Sequence, residues 1–474
     1  MNPVLHSLAY FVPETFLLLG SFLVVLLDLF LKNKKTIGLL ALLVVAGTLH
    51  LSEAPAVAQS LFHGFFTLDA FTHYFRIISL LVTSFTIAFS LVYKPLSNEI
   101  EGEYYSLLLF LTFGLILMAS ATNLLMIFMA IEFVSILSYL LTGFLKKDSR
   151  SKEAAMKYFL FGSLASGTML YGMSLFYGLS GSIELSQIQQ ALMHSPGLYP
   201  TALLALMLVF AGIGFKISMV PFHMWAPDVY EAAPTPFSGF LTVAPKALGF
   251  AVFLRLLATA FYPLGTKWQP MLIVFSILTM SVGNLLAVAQ TNVKRLLAYS
   301  SIAQAGYILM GLASFNELGL TGVLIYLMAY AFTNLGAFAV IVAVSNELGN
   351  DELQSYAGLS KRAPFLAAAM TLFLISLAGL PPFAGFIGKF YVFAAALNAG
   401  FVWLAVAAAI NSAVAAFYYF KIVRMMYLVS PMQEGPVAQP VFLIYTLSLL
   451  LAGVILIGLI PAPVIHFVKG MLLV

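Results

Sequence analysis

Four ionisable side chains stand where the letters around them are apolar. Glu132 lies in LLMIFMAIEFVSILSYLLTGF, Lys216 and Lys246 in GIGFKISMVPFHMWAPDVYEAAPTPFSGFLTVAPKALG, and Lys389 in LAGLPPFAGFIGKFYVF. A charge near the centre of a bilayer costs roughly 2.5–3.5 kcal/mol on insertion scales, so such residues are rare and mark function. One carboxylate and three amines can exchange protons without any cofactor. Glu132 sits about ten residues from either polar end of its run and needs a partner to stay charged at that depth. Lys216 is the expected partner. At about 4 Å and an effective dielectric near 20 the pair is worth roughly 4 kcal/mol. One charge crossing 100 mV is worth about 2.3 kcal/mol, so parting the two is a switch of useful size. A static salt bridge that fixes helix register satisfies the same letters.

Prolines accompany the lysines. Pro221 follows Lys216 by five residues, Lys246 follows Pro245 directly, and the Pro381–Pro382 pair precedes Lys389 by two helical turns. Proline removes a backbone donor and frees a carbonyl one turn earlier, which is tolerated at depth only where protein or water satisfies it. Neutral polar residues recur at helical spacing: Ser300, Gln304 and Tyr307 in one run, Tyr326, Tyr330 and Thr333 in the next. They suit a water chain or interhelical hydrogen bonds equally. His223 is expected to line an inner approach to Lys216. Glu14 and Asp28 are expected at the interface, and Arg255 is expected to snorkel outward.

The composition says what must position these groups. Hydrophobic residues make up 62% of the chain and charged residues 8%, where soluble domains carry about 25% charged residues. This is a polytopic all-α membrane protein. Apolar windows of about 20 residues predict fourteen spans, at 10–31, 36–52, 71–93, 104–122, 123–145, 154–180, 200–222, 235–262, 270–291, 296–314, 318–345, 364–397 (broken), 401–427 and 440–460. The segments after odd-numbered spans hold Lys32, Lys34, Lys35, Lys94, the cluster Lys146 to Lys157, Lys294, Arg295, Lys361, Arg362, Lys421 and Arg424. Those after even-numbered spans hold only Lys267 and Lys469. The positive-inside rule then puts odd-numbered spans' ends in the cytoplasm and both termini outside. There are no cysteines, which excludes disulfides, thiolate-bound clusters and cysteine-attached haem. The histidines lack metal-ligand spacing and no phosphate-binding glycine motif is present, so no cofactor or metal is expected in this chain.

The layout predicts four units: N-terminal helices over 1–103, a five-helix block over 104–262, a second over 270–427, and a last helix in 440–474. In each block the fourth span is proline-broken and has a lysine nearby. The blocks start on opposite sides, so such repeats are inverted, a layout that places paired transport sites at the midplane. ELSQIQQALMH, between spans six and seven, is expected as a short surface helix. The polar loop SNELGNDELQSYAGLSKRAP is expected to hold a helical turn near Leu353.

The run FKISMVPFHMWAPDVYEAAPTPFSGFLTVAPKA resembles the signature of the antiporter-like subunits of NADH:quinone oxidoreductase (respiratory complex I). Mrp-type cation/proton antiporters and membrane-bound hydrogenases share it. VKRLLAYSSIAQAGYILMG and LAGLPPFAGFIGKFYVF resemble the family's second block, and together the likeness spans helices four to thirteen. Lys389 in place of a glutamate, an end after span fourteen, and KEAAMKYFLFGSLASG without an acid point to the N-type branch. The resemblance implies that Glu132 modulates Lys216, that Lys216 is the central proton carrier, that Lys246 connects, and that Lys389 carries towards the outer exit. It implies partners as well: similar antiporter-like subunits in a membrane arm within a bacterial inner membrane. NADH, FMN, iron–sulfur clusters and quinone would be held by other subunits. The alternative is a subunit of an Mrp-type antiporter or membrane-bound hydrogenase. A space-filling scaffold is disfavoured, since apolar packing would serve it better than buried charges.

Overall fold

The computed structural model describes residues 3–97, 101–194, 197, 199–431 and 435–472. Helices α1 (Pro3–Tyr10) and α2 (Val12–Asp28) meet at 81°, and α3 (Lys34–His50) runs back beside α2. A small antiparallel hairpin, β1 (Gln59–Leu61) and β2 (Phe66–Leu68), fills the connection to α4 (Ala70–Ser90). The short α5 (Lys94–Ser97) leads to α6 (Glu101–Ser120), α7 (Leu124–Thr142) and the long α8 (Ser149–Ser180). The expected surface helix is present as α9 (Leu185–His194). Next come α10 (Tyr199–Ile217), α11 (Trp225–Ala232) and α12 (Thr235–Ala258), then α13 (Gly265–Val288), α14 (Val293–Ser314) and α15 (Glu317–Leu348). A 3-10 turn at Leu353–Tyr356 stands where one was expected, followed by α16 (Leu359–Arg362). The chain closes with α17 (Pro364–Ala378), α18 (Ala384–Asn398), α19 (Val402–Leu428), α20 (Val441–Leu459) and α21 (Pro461–Lys469).

Polar caps set where the helices begin. Asn33, Asp69, Asn123, Asp148, Asn292 and Asn316 each accept a backbone N–H of the first turn, satisfying donors that no intrahelical carbonyl reaches. Among the described residues eleven helices are long and apolar enough to cross a membrane, or twelve with the bent α1–α2 pair as one span. Helix occupies every one of the fourteen expected positions. Three of them fall short on length as single helices: α2 and α3 have 17 residues each, about 26 Å against a hydrocarbon core of about 30 Å, and the span at 364–397 is divided into α17 and α18, of 15 residues each.

The centre of the molecule is α12, buried at every residue from Thr235 to Leu257. Close backbone approach holds α13 to α14: a Cβ on Gly306 would lie 2.5 Å from the Met280 nitrogen, and one on Gly283 2.5 Å from the Ala303 nitrogen. Small residues at crossings are how helices pack when lipid offers no hydrophobic drive.

Two charges depart from expectation. Glu14 is only 1% exposed and is paired with the equally buried Arg76 of α4, not interfacial. Arg255 does not snorkel. It forks onto the Asp69 carboxylate at 3.0 and 3.2 Å and donates to the Ala119 carbonyl. The reason is the same in both places: a guanidinium with a matching carboxylate across a helix crossing is better satisfied by that bidentate geometry than by a stretched path to water. Asp28 does sit near a rim, with Lys34 at 2.6 Å.

Candidate functional site

Lys216 occupies the last turn of α10 and is 2% exposed. The helix stops one residue later, because Ser218 takes a left-handed φ of 58° and Pro221 lacks a donor. The broken turn is closed by protein. Trp225 donates its indole N–H to the Phe215 carbonyl at 3.0 Å, and the Val220 N–H reaches the Thr279 hydroxyl at 3.1 Å. The ammonium of Lys216 donates to Ser135 Oγ at 3.0 Å. Glu132, one turn earlier on α7, is half-buried and accepts a hydrogen bond from the Ser166 hydroxyl of α8. The expected direct Glu132–Lys216 ion pair is therefore absent among the described residues. Each group takes a serine instead, because Ser135 projects from the face of α7 turned to α10 while Glu132 turns to α8.

Lys246, 3% exposed, donates to Ser301 Oγ of α14 at 2.7 Å and stands 5.5 Å from the centre of the Tyr230 ring of α11. Lys389, 5% exposed, lies on α18 and reaches back across the break to the Ala378 carbonyl at 2.8 Å. Its ammonium also stands 4.6 Å from the centre of the Tyr307 ring. That carbonyl belongs to the end of α17, where the free C=O groups carry partial negative charge. Gly379 makes the approach possible, since its φ is +84° and a Cβ there would lie 2.4 Å from Lys389 Cδ. Pro381 and Pro382 are exposed, and Lys389 lines an open groove of about 460 Å³ with Leu380, Phe390 and Ser412. Three lysines thus stand in the interior, each donating to a neutral oxygen.

Three residues of the polar stripes join one network around Tyr419. Ser300 and Gln304 both hydrogen-bond the Tyr419 hydroxyl, Tyr326 donates to Gln304, and Gln304 donates to the Leu377 carbonyl at 3.0 Å. Thr333 meets Ser376 at 3.1 Å. The Tyr330 hydroxyl and His223 Nδ1 are buried without a hydrogen-bond partner. Helix α14 touches two of the lysines, through Ser301 at Lys246 and through Tyr307 at Lys389. The six-residue step from Ser301 to Tyr307 spans about 9 Å of helix. Sequence reasoning missed Ser301, Asn284, Asn411, Tyr418 and Tyr419. Asn284 donates to the Tyr307 hydroxyl at 3.1 Å and to Asn411 at 3.2 Å, and accepts from Tyr418 at 3.0 Å. The signal in the letters was slight: Asn284 and Asn411 are single amides in runs that also hold serines and threonines.

Cations expected to be purely topological also form a cluster at one end of this interior. Lys157 meets Asp228 at 3.0 Å, and Arg295 meets Asp228 and Glu231 at 2.8 Å each. Burial pushes the Asp228 carboxyl up, but the hydrogen bonds and charges of Lys157 and Arg295 outweigh it and hold it below the usual carboxylate range.

A family profile described as "NADH:quinone oxidoreductase/Mrp antiporter, TM" matches residues 121–415, which takes in all three lysines, Glu132 and both breaks. The chain is 42% identical over 472 residues to NADH-quinone oxidoreductase subunit N of Trichlorobacter lovleyi, covering 98% of this chain and 96% of the relative. A chain of respiratory complex I from Thermus thermophilus superposes with a TM-score of 0.82 at 33% identity, over 96% of this chain and 98% of that one. A chain of the Mrp complex from a Dietzia species shares the fold, with a TM-score of 0.83 at 23% identity over 96% and 95%. With that profile across its interior and that identity along nearly its whole length, the chain belongs to the subunit N family of NADH-quinone oxidoreductases.

Proposed function

We propose that this chain is a proton-translocating membrane-arm subunit of an NADH:quinone oxidoreductase. It moves protons through Glu132, Lys216, Lys246 and Lys389 while partner subunits reduce quinone. The observation that carries this reading is the trio of buried lysines, each held by a neutral oxygen and none in a carboxylate ion pair among the described residues. A buried amine so placed can stand neutral or charged, because no fixed counter-ion commits it to one state. Ser135 ties Lys216 to α7, the helix that carries Glu132, so a shift of α7 changes both the hydrogen bond and the distance to the carboxylate. Pro221 and the Pro381–Pro382 pair leave backbone carbonyls beside two of the lysines, and His223, Ser300, Gln304, Tyr307, Tyr326, Tyr330 and Thr333 supply groups along the path. The two five-helix units over 104–262 and 270–427 are inverted copies in this proposal, each contributing one break. NADH, FMN, iron–sulfur clusters and quinone act in partner subunits, alongside similar antiporter-like chains. The protein crosses the bacterial inner membrane many times with both termini outside, the orientation supported by its lysine and arginine distribution.

The test is NADH-driven proton pumping in inverted vesicles carrying Lys216→Ala, with assembly followed on native gels. Loss of pumping in an assembled complex is the expected result. Full pumping in that complex would remove Lys216 from the path. A gradient raised by added sodium, with none raised by NADH in the parent, would instead favour a cation/proton antiporter.

A further inference from the structure

Lys294 was expected only to mark the cytoplasmic side, yet it is 3% exposed. It begins α14 and forms part of the lining of a polar cavity of about 390 Å³, together with Lys147, Asp148, Arg150, Glu231 and Asp351. Its ammonium donates to the Ala233 carbonyl at 2.8 Å and stands 3.8 Å from Asp351 Oδ2. The other Asp351 oxygen is buried without a partner. Ala233 caps the C-terminal end of α11, whose free carbonyls favour a cation. From there a short chain of contacts leads inward. The Ser238 hydroxyl donates to the same Ala233 carbonyl at 3.2 Å and to the Tyr230 carbonyl at 2.7 Å. The Tyr230 ring is the one that Lys246 faces at 5.5 Å.

We infer that Lys294, with Asp351 beside it, is the cytoplasmic proton-loading residue of this subunit, filling Lys246 from the polar cavity. The inference rests on the proton-translocation reading above. Neutral Lys294 takes a proton from water in the cavity and passes it past the end of α11 to neutral Lys246. Lys294 returns to the free amine, and the proton departs as the Lys246 ammonium discharges further along the path. Asp351 and Glu231 steady the charged state, while Arg150 and Lys147 at the walls oppose it. A lysine that merely clamped α11 to α14 would make the same hydrogen bond without ever losing its proton.

Arginine separates the two roles, because it keeps the donor and the charge but stays protonated. In inverted vesicles with NADH as donor, an assembled Lys294→Arg complex should pump no better than Lys246→Ala. Pumping at the parent level would overturn the inference. The chain has no cysteine, so Ala232→Cys, in the cavity wall, places the subunit's sole thiol there. A membrane-impermeant methanethiosulfonate should block pumping of this variant, and not of the parent, when added to the cytoplasmic face. Block from the outer face alone, or from neither face, would overturn the inference even if Lys294→Arg failed to assemble. If Lys216→Ala and Lys246→Ala both keep full pumping, proton translocation itself fails. If they lose it while Lys294→Arg keeps it, only the loading role fails.

Discussion

The two proline breaks hold their lysines in opposite ways. Lys216 precedes its break and is fastened to another helix through the Ser135 hydroxyl of α7, with a carboxylate one turn away on that helix. Lys389 follows its break and is fastened to the break itself, through the Ala378 carbonyl at the end of α17. The first lysine therefore reads the position of α7, whereas the second reads the angle between α17 and α18. Their surroundings differ accordingly. All residues from Val209 to Val220 are buried, while Leu380, Pro381, Pro382 and Phe390 are exposed and Lys389 borders an open groove. A lysine whose partner is a side chain can be retuned by a helix shift. One whose partner is backbone moves only if the break moves.

Substitution at the turning residue should separate the breaks most sharply. Gly379 has φ +84°, and any Cβ would press on Lys389. Gly379→Val should cost about 2 kcal/mol or more, since a β-branched residue is a severe outlier at that φ. Ser218, the turning residue of the first break, has φ 58° with an ordinary side chain. Ser218→Gly should gain up to about 1 kcal/mol by relieving the left-handed strain. Thermal unfolding of the purified complex measures both. Destabilisation by Ser218→Gly, or none by Gly379→Val, would show that the breaks are not held by local backbone conformation.

The lysine partners come next. Ser135→Ala leaves the Lys216 ammonium without its hydrogen bond, an expected loss of about 1–3 kcal/mol, with pumping reduced in proportion. The nearest equivalent at the second break, Tyr307→Leu, removes a ring contact worth about 0.5–2 kcal/mol and leaves the Ala378 carbonyl in place. Glu132→Gln should lower pumping less than Ser135→Ala, because Glu132 acts on Lys216 only through space. A larger effect from Glu132→Gln would mean that carboxylate and ammonium meet directly during turnover.

How much of this the letters reveal depends on the interaction involved. Burial of Lys216, Lys246 and Lys389 was legible, because a lysine amid twenty apolar residues has few other places to be. Partner choice was not. Glu132 and Lys216 are the opposite charges set deep in apolar runs of the first half, yet helix rotation aims them at Ser166 and Ser135. Glu14 looked interfacial because it lies near a helix start. The 81° bend between α1 and α2 and the packing of α4 enclose it with Arg76. Asn284 and Asn411 went unremarked because an amide's partner lies on another helix, and no spacing rule within one helix finds it. Lys294 was hidden for the converse reason. Its place at a helix start matches the topological rule, which says nothing about whether the side chain reaches water.

The smallest expected effect lies in the charged cluster where α8 and α11 meet α14. Asp228 takes Lys157 on one side and Arg295 on the other. Its carboxyl is held below the ordinary value of 3.8, so the stability it adds is present above that value and is lost as pH falls through the lower, folded one. Asp228 is about a third exposed, which limits the contribution to under about 1 kcal/mol. Asp228→Asn should therefore lower the unfolding midpoint slightly at about pH 7, and the gap between variant and parent should close as the pH drops below the carboxylate range. A gap that persisted in acid would mean that Asp228 supports the cluster through shape and not charge. The contact of α8 and α11 with α14 would then be held as the Lys389 break is, by backbone geometry, and not as the Lys216 break is, by side chains that can let go.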